Sequence, residues 1–207
     1  MSRQYFQRVH AETPTRMWIN NPTTDDARRA IAAGAVNCTT NPSFCSKLLQ
    51  SEPEYIGGLI AKTVRQIKDD EPAAEQVYHQ ASARILEIFR PLYDQSDGTM
   101  GFVTIQDDPR YDDDVEHIVD TTMRCTTLGP NFMTKIPVIA SGVAAIEELV
   151  ARNIPICATE VFAVSQAVHM CEVYERAARR SGKNPPFYLT HITGIFDQYM
   201  GEVVKAE

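Results

Sequence analysis

Short apolar runs alternate with longer amphipathic ones along most of the chain. RMWINN (16–21) reads as a strand and TTDDARRAIAAG (23–34) as a helix. Thr23 or Thr24 can cap that helix, Asp25 and Asp26 suit its positive end, and Gly34 can stop it. AVNCTTNP (35–42) is a second strand, closed by proline. The stretch 43–99 is too long for one helix, and Pro53, Gly57–Gly58 and Pro72 divide it into two or three, the clearest over 73–90. MGFVTIQDD (100–108) is a third strand, followed by a helix over 112–129. NFMTKIP (131–137) is a fourth, and in its helix (141–153) Val143, Ile146, Leu149 and Val150 share one face. IPICATEVF (154–162) is a fifth strand, with a helix over 164–184, and PFYLTHITGIF (186–196) is a sixth.

This alternation predicts βα units around a parallel sheet, hence an α/β fold. The 207 residues suit a single domain (1–207) with a helical insertion at about 43–99. Two architectures fit: an open doubly wound sheet, or a TIM-type (β/α)8 barrel of which about six βα units are present. No G-x-G-x-x-G follows any strand, so the dinucleotide fingerprint of the doubly wound sheet is absent.

Barrels carry their chemistry at the carboxyl ends of the strands. Side chains alternate faces along a strand. With Lys135 inward, Met133 shares its face, while Phe132, Thr134 and Ile136 turn to the helices. In the other strands the last inward position is again polar: Asn20, Asn41, Gln106, Thr159 and Thr190. Cys157 also points inward, whereas Glu160 and His191 fall on the helix side. An amine in apolar surroundings has a lowered pKa and becomes nucleophilic near neutral pH. Its imine with a ketone is an electron sink for C–C cleavage, and amides and hydroxyls can hold the substrate's hydroxyls and a water. The competing reading is a surface lysine that snorkels to solvent; the pattern leaves both open.

Composition narrows the partners. A net charge of −7 argues against a nucleic-acid or anionic-membrane binder. No apolar run approaches the ~20 residues that span a bilayer. The start MSRQYFQRVHAETPTR lacks a signal-peptide core, and the five cysteines form no C-x-x-C pair. Both fit free thiols in a reducing cytoplasm. The five histidines lack metal-ligand spacing, so no metal is expected. The acidic run Asp107 to Asp114 reads as loop and helix-start charge, and Arg176, Arg179 and Arg180 as a basic helix end.

Several motifs resemble those of one family. MWINN looks like a W-x-D-N opening, CTTNPSF like T-[TS]-N-P, and TIQDDPR like E/Q-x-D-x-R. NFMTKIP with GVAAIEELVARNIPICATEVFAVSQA resembles N-x-x-x-K-I-P…G-x-x-A-I…L…G-I…T…F-S-x-x-Q-A. These are motifs of the transaldolase and fructose-6-phosphate aldolase superfamily, in register from about residue 16 to 199. The resemblance implies a class I aldolase barrel in the cytoplasmic pentose phosphate pathway. It would transfer or cleave a dihydroxyacetone unit of a ketose or ketose phosphate, without a cofactor. Lys135 matches the Schiff-base lysine, Asn41 the asparagine contacting the dihydroxyacetone part, and Gln106 the position that places the catalytic water. Thr159 matches a threonine that helps hold that water, and Thr190 a serine or alanine on strand six.

The sequence also departs from the family. Asn20 stands where the family has a proton-shuttling aspartate, and an amide cannot take up a proton at neutral pH. Cys157 replaces an asparagine, and Ile195 an arginine linked to phosphate binding. In the family two further strands follow the sixth, whereas the sequence given stops at Glu207. The alternative expectation is therefore a catalytically impaired pseudo-enzyme, or a truncated barrel module with a structural or interaction role. Open sheet edges would favour a homo-oligomer.

Overall fold

The computed structural model describes residues 5–206; the first four residues and the last, where the predicted domain span begins and ends, lie outside it. Six strands form one sheet in chain order: β1 (Met17–Asn20), β2 (Ala35–Thr39), β3 (Val103–Gln106), β4 (Phe132–Pro137), β5 (Ile156–Val161) and β6 (Phe187–His191). The pairs β1–β2, β2–β3 and β5–β6 are parallel. The helices are α1 (Tyr5–Glu12), α2 (Thr24–Ala33), α3 (Ser43–Ser51), α4 (Pro53–Gln66), α5 (Asp70–Gln95), α6 (Val115–Cys125), α7 (Ala140–Ala151), α8 (Val164–Ser181) and α9 (Gly194–Ala206). Each strand is followed by at least one helix. This is an α/β fold of the TIM-barrel type, with six strand–helix units among the described residues.

The chain divides into two compact units: Met1–Pro109 with Asp120–Thr134, and Arg110–Val119 with Lys135–Glu207. In the first, Ala27 of α2, Phe44 and Leu48 of α3, Ile56 of α4 and the apolar stripe Ile85, Leu86 and Phe89 of α5 close over Val103 and Phe132. Phe132 thus faces the helix layer, as alternation requires. Thr134 does too, because its hydroxyl meets that of Thr122 on α6 at 2.9 Å. Burial of this apolar surface is the main force holding the unit together. In the second unit the buried residues Ala145, Ile146, Leu149 and Val150 of α7, and Met170, Val173 and Ala177 of α8, supply the helix faces. Arg176 and Arg180 of α8 both pair with Glu147 of α7, so the basic helix end is part of this packing.

Helix α2 follows its sequence closely. The Thr23 hydroxyl accepts from the Asp26 N–H at 3.1 Å, the Asp26 carboxylate accepts from the Thr23 N–H at 3.3 Å, and Gly34 ends the helix at φ +113°. This reciprocal pair satisfies two otherwise orphan donors. Thr23→Ala is expected to cost about 1 kcal/mol, read as a lower urea midpoint with an unchanged slope. An unchanged midpoint would show that the box contributes nothing.

Elsewhere the element boundaries differ from the sequence pattern. Gly57 and Gly58 lie inside α4, which runs unbroken across them. Glycine weakens a helix interior by only ~1 kcal/mol, less than the packing of Ile56 returns. Pro72 falls in the first turn of α5, where no intrahelical N–H bond is lost, and Pro91 near its end. The sixth strand ends at His191, short of the expected 196, and GIFD opens α9, whose first apolar residues continue the apolar run of the strand. Helix α1 has no buried residue, so no core-facing stripe marked it in sequence.

Candidate active site

In the second unit Lys135 sits on β4 between the buried Thr134 and Ile136, and is itself half-buried. Burial holds its amine below the ordinary lysine range, opposed by the negative forms of Cys157 and Glu160 on β5. The Val138 N–H donates to the Thr159 carbonyl at 2.9 Å. In a parallel pair that bond sets Pro137 opposite Thr159, and two residues back along each strand Lys135 lies beside Cys157. The Cys157 thiol is pushed up to about 11 by burial, against the pull of Lys135 and a hydrogen bond with Thr190. It is therefore a neutral, buried neighbour rather than a thiolate nucleophile. Thr190 on β6 also donates to the Ala158 carbonyl at 3.2 Å, and Thr159 is buried. Lys135, Thr159 and Thr190 thus lie in the carboxyl-terminal halves of three successive strands, with Cys157 near the start of β5.

Two features hold these strand ends. Gly142, in the first turn of α7, has room for no side chain, since a Cβ there would lie 2.0 Å from the Pro137 carbonyl oxygen. The Gln166 side chain accepts from the N–H groups of Phe162 and Ala163 at 2.9 and 3.0 Å, and donates to the Val138 carbonyl at 3.3 Å. One amide thereby ties the exits of β4 and β5 to the start of α8. Gln166 lies in the FAVSQA run, but its Val138 partner is remote along the chain, and no local pattern shows that link.

The remaining predicted residues belong to the first unit. Asn20 is the last residue of β1, is exposed, and accepts from the Thr39 hydroxyl at 2.8 Å. Asn41 follows the end of β2 by two residues. Its Oδ1 accepts from Asn21 Nδ2 at 2.9 Å, from the Ser43 N–H at 3.1 Å and from the Ser43 hydroxyl at 2.6 Å. Asn21 is 7% exposed, sits at φ +46°, and accepts from the Asn41 N–H at 3.1 Å. This turn fixes the Asn41 orientation; asparagine tolerates the left-handed region because its short amide bonds locally. Gln106 ends β3 and is buried. Its N–H donates to the Tyr78 hydroxyl at 3.3 Å, which meets the Thr40 hydroxyl at 3.0 Å, and Thr40 donates to the Thr104 carbonyl at 2.7 Å. Burial raises the Tyr78 pKa and keeps the phenol protonated, so it serves here as a fixed strut from α5. Sequence reasoning missed Tyr78, because nothing in the α5 period separates it from core.

In the second unit Lys135, Thr159 and Thr190 place an amine and two hydroxyls near strand ends, the part of a β/α unit that carries chemistry in barrels, and such groups suit a hydroxylated carbonyl compound. The family model described as Transaldolase/Fructose-6-phosphate aldolase matches residues 17–193. A transaldolase of Thiobacillus denitrificans is 29% identical over 168 residues, covering 77% of this chain and 46% of that protein. Transaldolase 1 of Streptomyces avermitilis is 31% identical over 149 residues, 70% of this chain and 39% of the relative. A transaldolase of Helicobacter pylori strain 26695 is 29% identical over 162 residues, 75% and 49% respectively. The chain belongs to the transaldolase/fructose-6-phosphate aldolase family. It spans about half the length of these curated relatives or less. Among the described residues no helix is long and apolar enough to cross a membrane.

Proposed function

We propose that this protein is a transaldolase-type class I aldolase that handles the dihydroxyacetone unit of a ketose or ketose phosphate through an imine on Lys135. The observation that carries the reading is the half-buried amine itself, which burial holds below the ordinary lysine range. A larger neutral fraction near pH 7 is what attack on a ketone requires. Asn41 has its carbonyl oxygen engaged by three donors, so its Nδ2 is the group suited to donate to a substrate hydroxyl. The Gln106 amide is given the water-placing role, and Thr159 and Thr190 the polar contacts beside the imine. Asn20 serves as a hydrogen-bonding group without proton transfer. The substrate class and a cytoplasmic place in carbohydrate metabolism are part of this proposal, supported by the family match.

A second reading, a catalytically impaired module, is favoured by Asn20 and by Ile195, which lies 51% exposed on α9. NMR of the protein incubated with fructose 6-phosphate and an aldose phosphate acceptor separates the two. Formation of a new ketose supports the enzyme. Unchanged sugars, with dihydroxyacetone also unused as donor, would leave the impaired module.

A further inference from the structure

Strand alternation turns Glu160 toward the helices, opposite Thr159. The structure departs from that rule at this residue. The β5–β6 register shifts between Ala158 and Val161, and Glu160 takes φ +60°. A bulky non-glycine residue in the left-handed region is uncommon. Bulges of this kind re-aim a side chain, and backbone outliers gather at functional sites. Glu160 is half-buried. The shift begins one residue beyond Cys157, the strand neighbour of Lys135.

We propose that Glu160, displaced by this bulge, is the carboxylate that carries the proton during imine formation at Lys135. The inference rests on the imine reading and adds to it a group at a position where alternation predicts a helix contact. Its negative charge acts on the Lys135 amine and favours the ammonium form against burial. The positions matched to proton transfer and water placement hold Asn20 and Gln106, and amides do not carry protons at neutral pH. Glu160 takes one proton from the Lys135 ammonium. The free amine adds to the ketone carbon, and a proton shift from nitrogen to oxygen gives the carbinolamine. Protonated Glu160 then returns its proton to that hydroxyl, which leaves as water as the C=N bond forms. The products are the iminium, one water and the original carboxylate.

The test is the rate of imine formation with dihydroxyacetone, followed by rapid borohydride quenching and by exchange of the ketone oxygen with labelled water. Glu160→Gln is expected to slow both by about 100-fold, in the range general acid–base groups contribute, while the final adduct still maps to Lys135. Glu160→Asp should recover part of the rate, which a purely structural role would not predict. Should glutamine fail to fold at this φ, Glu160→Asn removes the same carboxylate with a residue suited to the left-handed region. Wild-type rates in a folded carboxylate-free variant would overturn the role of Glu160 alone. Absence of any adduct on the wild-type protein would overturn the imine reading and this proposal together.

Discussion

Lys135→Met is expected to abolish covalent capture of dihydroxyacetone and, at neutral pH, to raise the melting temperature. The two effects have one cause. Burial disfavours the charged amine in the folded chain, so its pKa there lies below the unfolded value. Between the two values the unfolded chain binds more protons, and stability rises with pH. Below that window the folded state bears the whole desolvation penalty; above the unfolded value both forms are neutral and the penalty vanishes. Methionine has a similar length and no charge, and it packs against a buried setting that includes Cys157. Its advantage should therefore be greatest below that window and shrink as pH rises toward the ordinary lysine value, ~10.4. Activity should fall by several orders of magnitude, as when other enzymes lose a nucleophile. Thermal melts across pH check the first part. A variant less stable than wild type at pH 7 would show that Lys135 makes a stabilising ion pair instead of a strained amine.

The second large effect is structural. Gly142→Ala is expected to destabilise the chain by about 3 kcal/mol, a fall in Tm of roughly 6–12 °C for a chain of this size. The added Cβ would lie 2.0 Å from the Pro137 carbonyl oxygen and 3.1 Å from the Ile136 side chain. The nearest obstacle is backbone, so no rotamer change relieves it, and α7 must move away from the end of β4. Gly57→Ala and Gly58→Ala are the matched controls. Both sites are helical with nothing within 4 Å of the added carbon, and each should stabilise by ~0.5–1 kcal/mol. Equal effects at all three glycines would refute the packing argument.

What the sequence revealed followed the range of the interactions involved. Helix α2 was legible at both ends because Thr23, Asp26 and Gly34 act on backbone within a few residues. Strand β4 was legible because alternation alone decides that Phe132 and Thr134 face the helices. At Glu160 simple alternation does not hold, for the converse reason. A bulge adds a residue to the count, and its cause lies in pairing with β6, not in the local pattern. Gln166 and Tyr78 were invisible because their partners are far along the chain, Val138 for one and Thr40 for the other. Helices α1 and α9 went unread because α1 buries no residue and the start of α9 continued the apolar run of β6.

The central claim is the imine on Lys135, and borohydride trapping tests it most directly. The protein is incubated with dihydroxyacetone or fructose 6-phosphate, reduced, digested and mapped by mass spectrometry. The account predicts one reduced adduct on the peptide carrying NFMTKIP, at Lys135, and none in Lys135→Met. Trapping on Lys47 or another lysine, or no adduct with any small ketone or aldehyde, would contradict it.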